Sequence, residues 1–225
     1  SLTDDELIRL LPTVRIFART TPHHKLRIVQ AYQKLGHVVA VTGDGVNDAL
    51  ALKQANVGVA MGITGTDVAK EASDLIVTDD NYATIVKAIE EGRIIFDNIV
   101  KSVVYLASGN LGELLTIFVA VLFGFPSPLL PVQILWINLV TDGLPALALA
   151  VDPKDSAVMR RSPRKLTGSI IGGANLGFIL ITGTTIAAIV LILFGFSLTM
   201  FSEMQARTIA FTALILLHIS VAFLV

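Results

Sequence analysis

Val41-Thr42-Gly43-Asp44-Gly45-Val46-Asn47-Asp48-Ala49-Leu50 follows an apolar run, His37–Val41, and precedes a helical pattern. That succession reads as strand, tight turn and helix. In an open parallel α/β sheet, ligands bind beyond the carboxyl ends of the strands. Gly43 and Gly45 permit sharp turns and close approach of the backbone to a ligand. Asp44 and Asp48 are hard oxygen donors four residues apart. A helix starting near Val46 would let them converge, as Mg²⁺ bound through carboxylates and phosphate requires. A plain turn with Asp44 as helix cap is the simpler alternative. Two acids, an asparagine and two glycines crowded at one strand end favour the site.

The surrounding residues extend this pattern across 1–90. Ser1 to Leu11 reads as a helix, with Leu2, Leu7, Leu10 and Leu11 on one side. Thr13–Ala18 reads as a strand, and Pro22 opens a helix through Leu35. Strand 37–41 and a helix to about Ala55 follow. Val57–Met61 is a strand, Gly65–Ala72 a short helix and Asp74–Thr78 a further strand. Strands alternating with helices predict a parallel, Rossmann-like α/β sheet.

The remainder has a different composition. The 225 residues are 53% hydrophobic with a net charge of −1, and the mean hydropathy is +0.73. The apolar residues concentrate after the first hundred, so the chain divides into a soluble and a membrane part. Near-zero charge argues against a nucleic-acid partner. With no cysteine, the chain has neither a disulfide framework nor a thiolate ligand. The opening, Ser1–Glu6, is polar and acidic rather than a secretory signal. It lacks an initiator Met, so a longer parent is expected.

Thr42–Ala49 closely resembles the hinge-proximal signature of P-type cation-transporting ATPases, which share a haloacid-dehalogenase-like phosphorylation domain. The downstream residues look most like the calcium-pump branch. Leu50 departs from it, since many calcium pumps carry proline there. The resemblance implies that residues 1–90 are the C-terminal part of the phosphorylation domain. It also implies that Asp44 and Asp48 hold Mg²⁺, that Asn47 fixes the loop, and that Thr42, Gly43 and Lys25 attend the phosphoryl group. A lysine aimed at a strand-end anion site offsets charge building in phosphoryl transfer; on residue type alone, a solvated helix lysine is the preferred reading of Lys25. His23 and His24 are assigned no role. The phosphorylated Asp-Lys-Thr-Gly, the actuator Thr-Gly-Glu and the nucleotide-binding insert are absent from this sequence. The chain alone is therefore not expected to complete ATP hydrolysis, and its partners would include those other parts of the pump.

From Asn81 a helical pattern runs through Lys87, Glu90, Arg93, Asp97 and Lys101 into Val103–Phe123. Residues 81–102 read as a stalk and 103–123 as a first span. Three more spans are expected at about 131–150, 170–195 and 207–225, each near the roughly 20 apolar residues that cross a bilayer. The whole is an α/β partial domain followed by an all-α transmembrane bundle in contact with lipid. Loop 151–168 carries Lys154, Arg160, Arg161, Arg164 and Lys165, which places it in the cytoplasm with the soluble part.

Ionisable residues inside spans are functional candidates. Asn110 and Glu113 share one helix face, and Asn138, Thr141 and Asp142 share another. Gly143 and Pro145 should interrupt the second span and free carbonyl oxygens. These five side chains offer an all-oxygen cage suited to Ca²⁺; a polar seam joining helices is the plainer alternative. Gly109–Glu113 and Leu135–Pro145 are similar to the fifth and sixth transmembrane helices of sarcoplasmic-reticulum-type calcium pumps. The resemblance carries ligand roles onto Asn110, Glu113, Asn138, Thr141 and Asp142. Sodium-potassium pumps usually place Asp where Asn138 stands. His218 falls where two-site calcium pumps place a glutamate, and it reads equally as a proton carrier or a packed helix residue. The function expected is ATP-driven Ca²⁺ transport with Mg²⁺. A pump for Mn²⁺, Na⁺ or H⁺ is the nearest alternative, and a non-catalytic membrane subunit a more distant one. A membrane-anchored phosphatase lacks the upstream nucleophilic Asp it would need.

Overall fold

The computed structural model describes residues 2–153, 155, 157–163 and 170–225. Lys154, Arg164 and Lys165 of the basic loop lie outside the described residues. Contacts divide the chain into two compact units, one up to Ile89 and one from Glu90.

In the first unit, α1 (Asp4–Leu10) and α2 (Pro22–Lys34) are capped by Thr3 and Thr21. Each threonine accepts from the third helical amide, satisfying a donor the helix cannot. Leu7, Leu11 and Ala31 bury between them. Arg27 fastens the pair through Asp4 and the Leu2 carbonyl. Three strands follow, β1 (Ala40–Gly43), β2 (Val57–Met61) and β3 (Leu75–Val77), parallel and in the order β1-β2-β3. Val41 pairs with Gly58, and Ala60 with Ile76. Alternation along β2 sends Ala60 toward Leu52 and Ala69 of the helices α3 (Ala49–Gln54) and α4 (Asp67–Glu71). Val59 and Met61 pack with Val77 and Ile85 in a separate cluster.

Two expectations are corrected. Thr13–Ala18 forms no strand; it runs without a ladder among the described residues, and Ile16 is 86% exposed. Its β-branched composition supplies propensity but no partner. The strand expected at 37–41 sits later, at Ala40–Gly43, because pairing with β2 fixes its register. Thr42 and Gly43 thus belong to the strand end rather than to the turn.

Among the described residues, four helical segments are long and apolar enough to cross a membrane. The first belongs to α5, which begins at Tyr82 in the first unit and runs without interruption to Leu122. At 1.5 Å per residue it is about 60 Å long, some twice the hydrocarbon thickness. Its polar stretch is occupied by the loop that follows the second span. Asn98 donates to the carbonyls of Ala150 and Asp152, and Arg93 to those of Val158 and Arg161. Lys101 pairs with Asp152, and Asp97 with Arg161.

The second span is α6 (Pro131–Trp136), a π-helical turn (Ile137–Thr141) and α7 (Gly143–Ala150). The expected interruption takes this form: the Asp142 amide donates to the Ile137 carbonyl at 2.9 Å, one residue wider than an α-helical bond. Pro145 has no amide to offer Thr141, and that freed carbonyl accepts from the Tyr105 hydroxyl at 3.4 Å. The last two spans are α8 (Ala174–Met200) and α9 (Glu203–Ala222), against the expected 170–195 and 207–225. The core of the bundle joins Tyr105, Ile137, Val190, Phe194 and Leu214.

Candidate functional site

The first candidate lies at the carboxyl end of β1. Val46–Asp48 makes a single 3₁₀ turn before α3 begins, and this turn folds Asp48 back over the strand end. A Cβ on Gly43 would stand 2.4 Å from that of Asp48, so only glycine allows the approach. Lys25, from the first turn of α2, forms an ion pair with Asp48 Oδ1, and the Gly45 amide donates to Oδ2 at 3.2 Å. Burial pushes the Asp48 carboxyl up. The hydrogen bonds from Lys25 and Gly45, with the ammonium charge, outweigh it and hold the group below the usual carboxylate range.

A cleft of about 390 Å³ opens here, lined by Lys25, Thr42, Gly43, Asp44, Asp48 and Asp80 among others. Asp44 is exposed, and its carboxylate makes no hydrogen bond among the described residues. Its backbone carbonyl accepts from the Thr66 amide at 2.8 Å, which ties the turn to the start of α4. The donor set suits Mg²⁺: one free carboxylate, a second already charged, and room for phosphate and water. Asn47 is exposed and is not among the cleft-lining residues.

Asp80 is a wall of this cleft that sequence reasoning missed. Its carboxylate accepts from the Ile63 amide at 3.0 Å and from the Thr64 amide and hydroxyl at 2.7 Å. These bonds, the Ile63 amide first, hold its pKa at about 2. Its φ of 48° lies in the left-handed region that aspartate tolerates. Asp80 therefore braces the loop after β2, and its oxygens are already engaged.

The second candidate is buried in the bundle. Glu113 on α5, Asp142 at the π turn and His218 on α9 are 5%, 1% and 1% exposed. One ligand atom of each lies within 4.8 Å of the others. His218 Nδ1 stands 2.8 Å from Asp142 Oδ1, and the Tyr105 hydroxyl donates to that same oxygen at 3.4 Å. Asn138 donates to Glu113 Oε2 at 3.4 Å and to the Ile134 carbonyl at 3.0 Å. Glu113 Oε1, Asp142 Oδ2 and His218 Nε2 are buried and have no hydrogen-bond partner among the described residues. Three such atoms together are costly in a packed interior unless something binds them.

Residues 126–225 match the family described as "Cation transporting ATPase, C-terminus". The chain is 52% identical over 194 residues to calcium-transporting ATPase 1 of Bacillus cereus, covering 86% of this chain and 22% of that protein. It is 59% identical over 163 residues to a calcium-transporting ATPase of Bacillus subtilis, covering 72% of this chain and 18% of that one. It is 53% identical over 188 residues to an endoplasmic reticulum calcium ATPase of Aspergillus fumigatus, covering 84% and 19%. The chain belongs to the cation-transporting P-type ATPases. It spans about a fifth of the length of these ATPases, and it is an integral membrane protein with four apolar helices among the described residues.

Of the residues read from sequence in this P-type ATPase chain, Lys25, Thr42, Gly43, Asp44 and Asp48 share the cleft. Glu113 and Asp142 share the buried centre, and Asn138, itself exposed, reaches Glu113 through its side-chain amide. Asn110 is exposed, and Thr141 meets the centre's Tyr105 through its backbone carbonyl. His218, left open by sequence, is a full member of the centre.

Proposed function

We propose that this chain works within an ATP-driven calcium pump, as part of its phosphorylation domain and its ion-binding bundle. The observation that carries the reading is the buried trio of unpartnered polar atoms on three helices. The names of the relatives point to Ca²⁺ as the ion. The Glu113 and Asp142 carboxylates are hard oxygen donors of the kind that a large, flexible Ca²⁺ shell takes.

The small parallel sheet is then part of a haloacid-dehalogenase-like fold, and residues 1–90 and loop 151–168 face the cytoplasm. Lys25 offsets charge on the transferring phosphoryl group, while Asp48 holds the lysine in place. Asp44 and Asp48 hold Mg²⁺, which supplies electrostatic stabilisation of phosphoryl oxygens when bound. ATP and the phosphorylated aspartate belong to parts of the pump outside this chain. Rearrangement at the sheet reaches Glu113 through α5, one helix common to both ends.

The test is the ion dependence of ATP hydrolysis by the full-length pump. Activity stimulated by micromolar Ca²⁺ is expected. Activity that answers to Na⁺ or H⁺ and ignores Ca²⁺ refutes the assignment.

A further inference from the structure

A cage for Ca²⁺ is built from oxygen alone, yet the third residue of this centre is an imidazole. The His218 ring is fixed from two sides. It lies so close to α5 that a Cβ on Gly109 would stand 2.8 Å from Cε1. Its Nδ1 stands 2.8 Å from Asp142 Oδ1. With Asp142 ionised and the ring neutral, Nδ1 carries the proton and Nε2 presents its lone pair. A carboxylate holding one ring nitrogen so that the other can coordinate is the usual support of a metal-binding histidine. Nε2 is indeed buried without a partner, as are Glu113 Oε1 and Asp142 Oδ2. A hydrogen-bonding role would satisfy Nε2, and a packing role would not leave two carboxylate oxygens bare beside it. Imidazole nitrogen with two carboxylates suits first-row transition-metal dications better than Ca²⁺. Ligands of such an ion, at about 2.0–2.2 Å, sit no more than roughly 4.4 Å apart. The 4.8 Å limit on the present spacing therefore requires little closure.

We infer that Glu113, Asp142 and His218 form a mixed nitrogen–oxygen centre that accepts a first-row transition-metal dication of the Zn²⁺ type as an alternative to Ca²⁺. The inference rests on the reading of this centre as the pump's cation site.

The probe is Zn²⁺ alone, bound to the full-length protein in lipid nanodiscs, with Ca²⁺ binding measured in parallel. X-ray absorption at the zinc edge should show imidazole scattering that disappears in His218→Glu. That variant, which exchanges nitrogen for oxygen, should lower the ratio of Zn²⁺ to Ca²⁺ affinity at least about tenfold. His218→Gln carries the same expectation if the glutamate variant fails to fold. Imidazole scattering that survives both substitutions comes from other histidines and overturns the inference, as does an unchanged affinity ratio. Ca²⁺ binding with Zn²⁺ excluded overturns this inference and leaves the calcium reading standing. Binding of neither ion overturns both.

Discussion

Asp142→Asn is expected to lower Ca²⁺ affinity at least about 100-fold, roughly 2.7 kcal/mol, and to remove Ca²⁺-stimulated phosphoenzyme at micromolar Ca²⁺. The substitution nearly preserves size and leaves an oxygen facing His218 Nδ1, so the 2.8 Å contact keeps an acceptor. What disappears is one formal charge at 1% exposure, where water cannot make up for it. Ligand charge count is a main determinant of affinity at calcium sites. Glu113→Gln should behave alike, since Oε1 is bare and Oε2 meets the Asn138 amide only at 3.4 Å. Alanine would be a poorer test, because stripping one partner from a buried charged pair is itself strongly destabilising. Wild-type Ca²⁺ dependence of phosphoenzyme in both variants would remove the bundle centre from transport.

Lys25→Met is expected to slow phosphoenzyme formation about 100- to 1,000-fold, some 2.7–4 kcal/mol of transition-state stabilisation. The methionine keeps the length of the stem and loses the ammonium. Asp48 then loses both a hydrogen bond and the neighbouring charge that hold its carboxyl low, leaving the backbone amides of Gly45 and Asp44 as its support. Calcium binding, measured separately, should stay close to wild type, because Lys25 belongs to the first unit and the cation centre to the second. A normal phosphorylation rate would make Lys25 a mere brace for the turn.

How far these sites could be read from sequence follows from the range of the interactions involved. The turn at Val41–Leu50 is local: its glycines, acids and helix start lie within ten residues, and the cleft forms around them. The i, i+3 and i+4 spacings single out Glu113 and Asp142, but Asn110 and Asn138, expected on the same faces, are exposed. Non-local partners were not legible. The Asp142–His218 contact spans 76 residues, and nothing in the apolar sequence around His218 marks which helix its ring meets. Asp80 reads as a turn residue; only the fold brings it to the Ile63 and Thr64 amides. Thr13–Ala18 has strand composition, yet a strand needs a neighbour that composition does not supply. Pro145 announced a break but not its form, since a π turn depends on where Tyr105 and Asp142 come to rest.

If α5 conveys rearrangement at the sheet to the cation centre as one continuous helix, breaking that helix should uncouple the two ends, and Ile95→Pro does so. Ile95 is exposed, so no core contact is lost, while proline in a helix interior removes a backbone bond and kinks the helix at about 3 kcal/mol. In the full-length pump carrying this substitution, Ca²⁺ should still bind but should no longer stimulate phosphorylation. Wild-type stimulation across a kinked α5 would show that the helix does not couple sheet and cation centre.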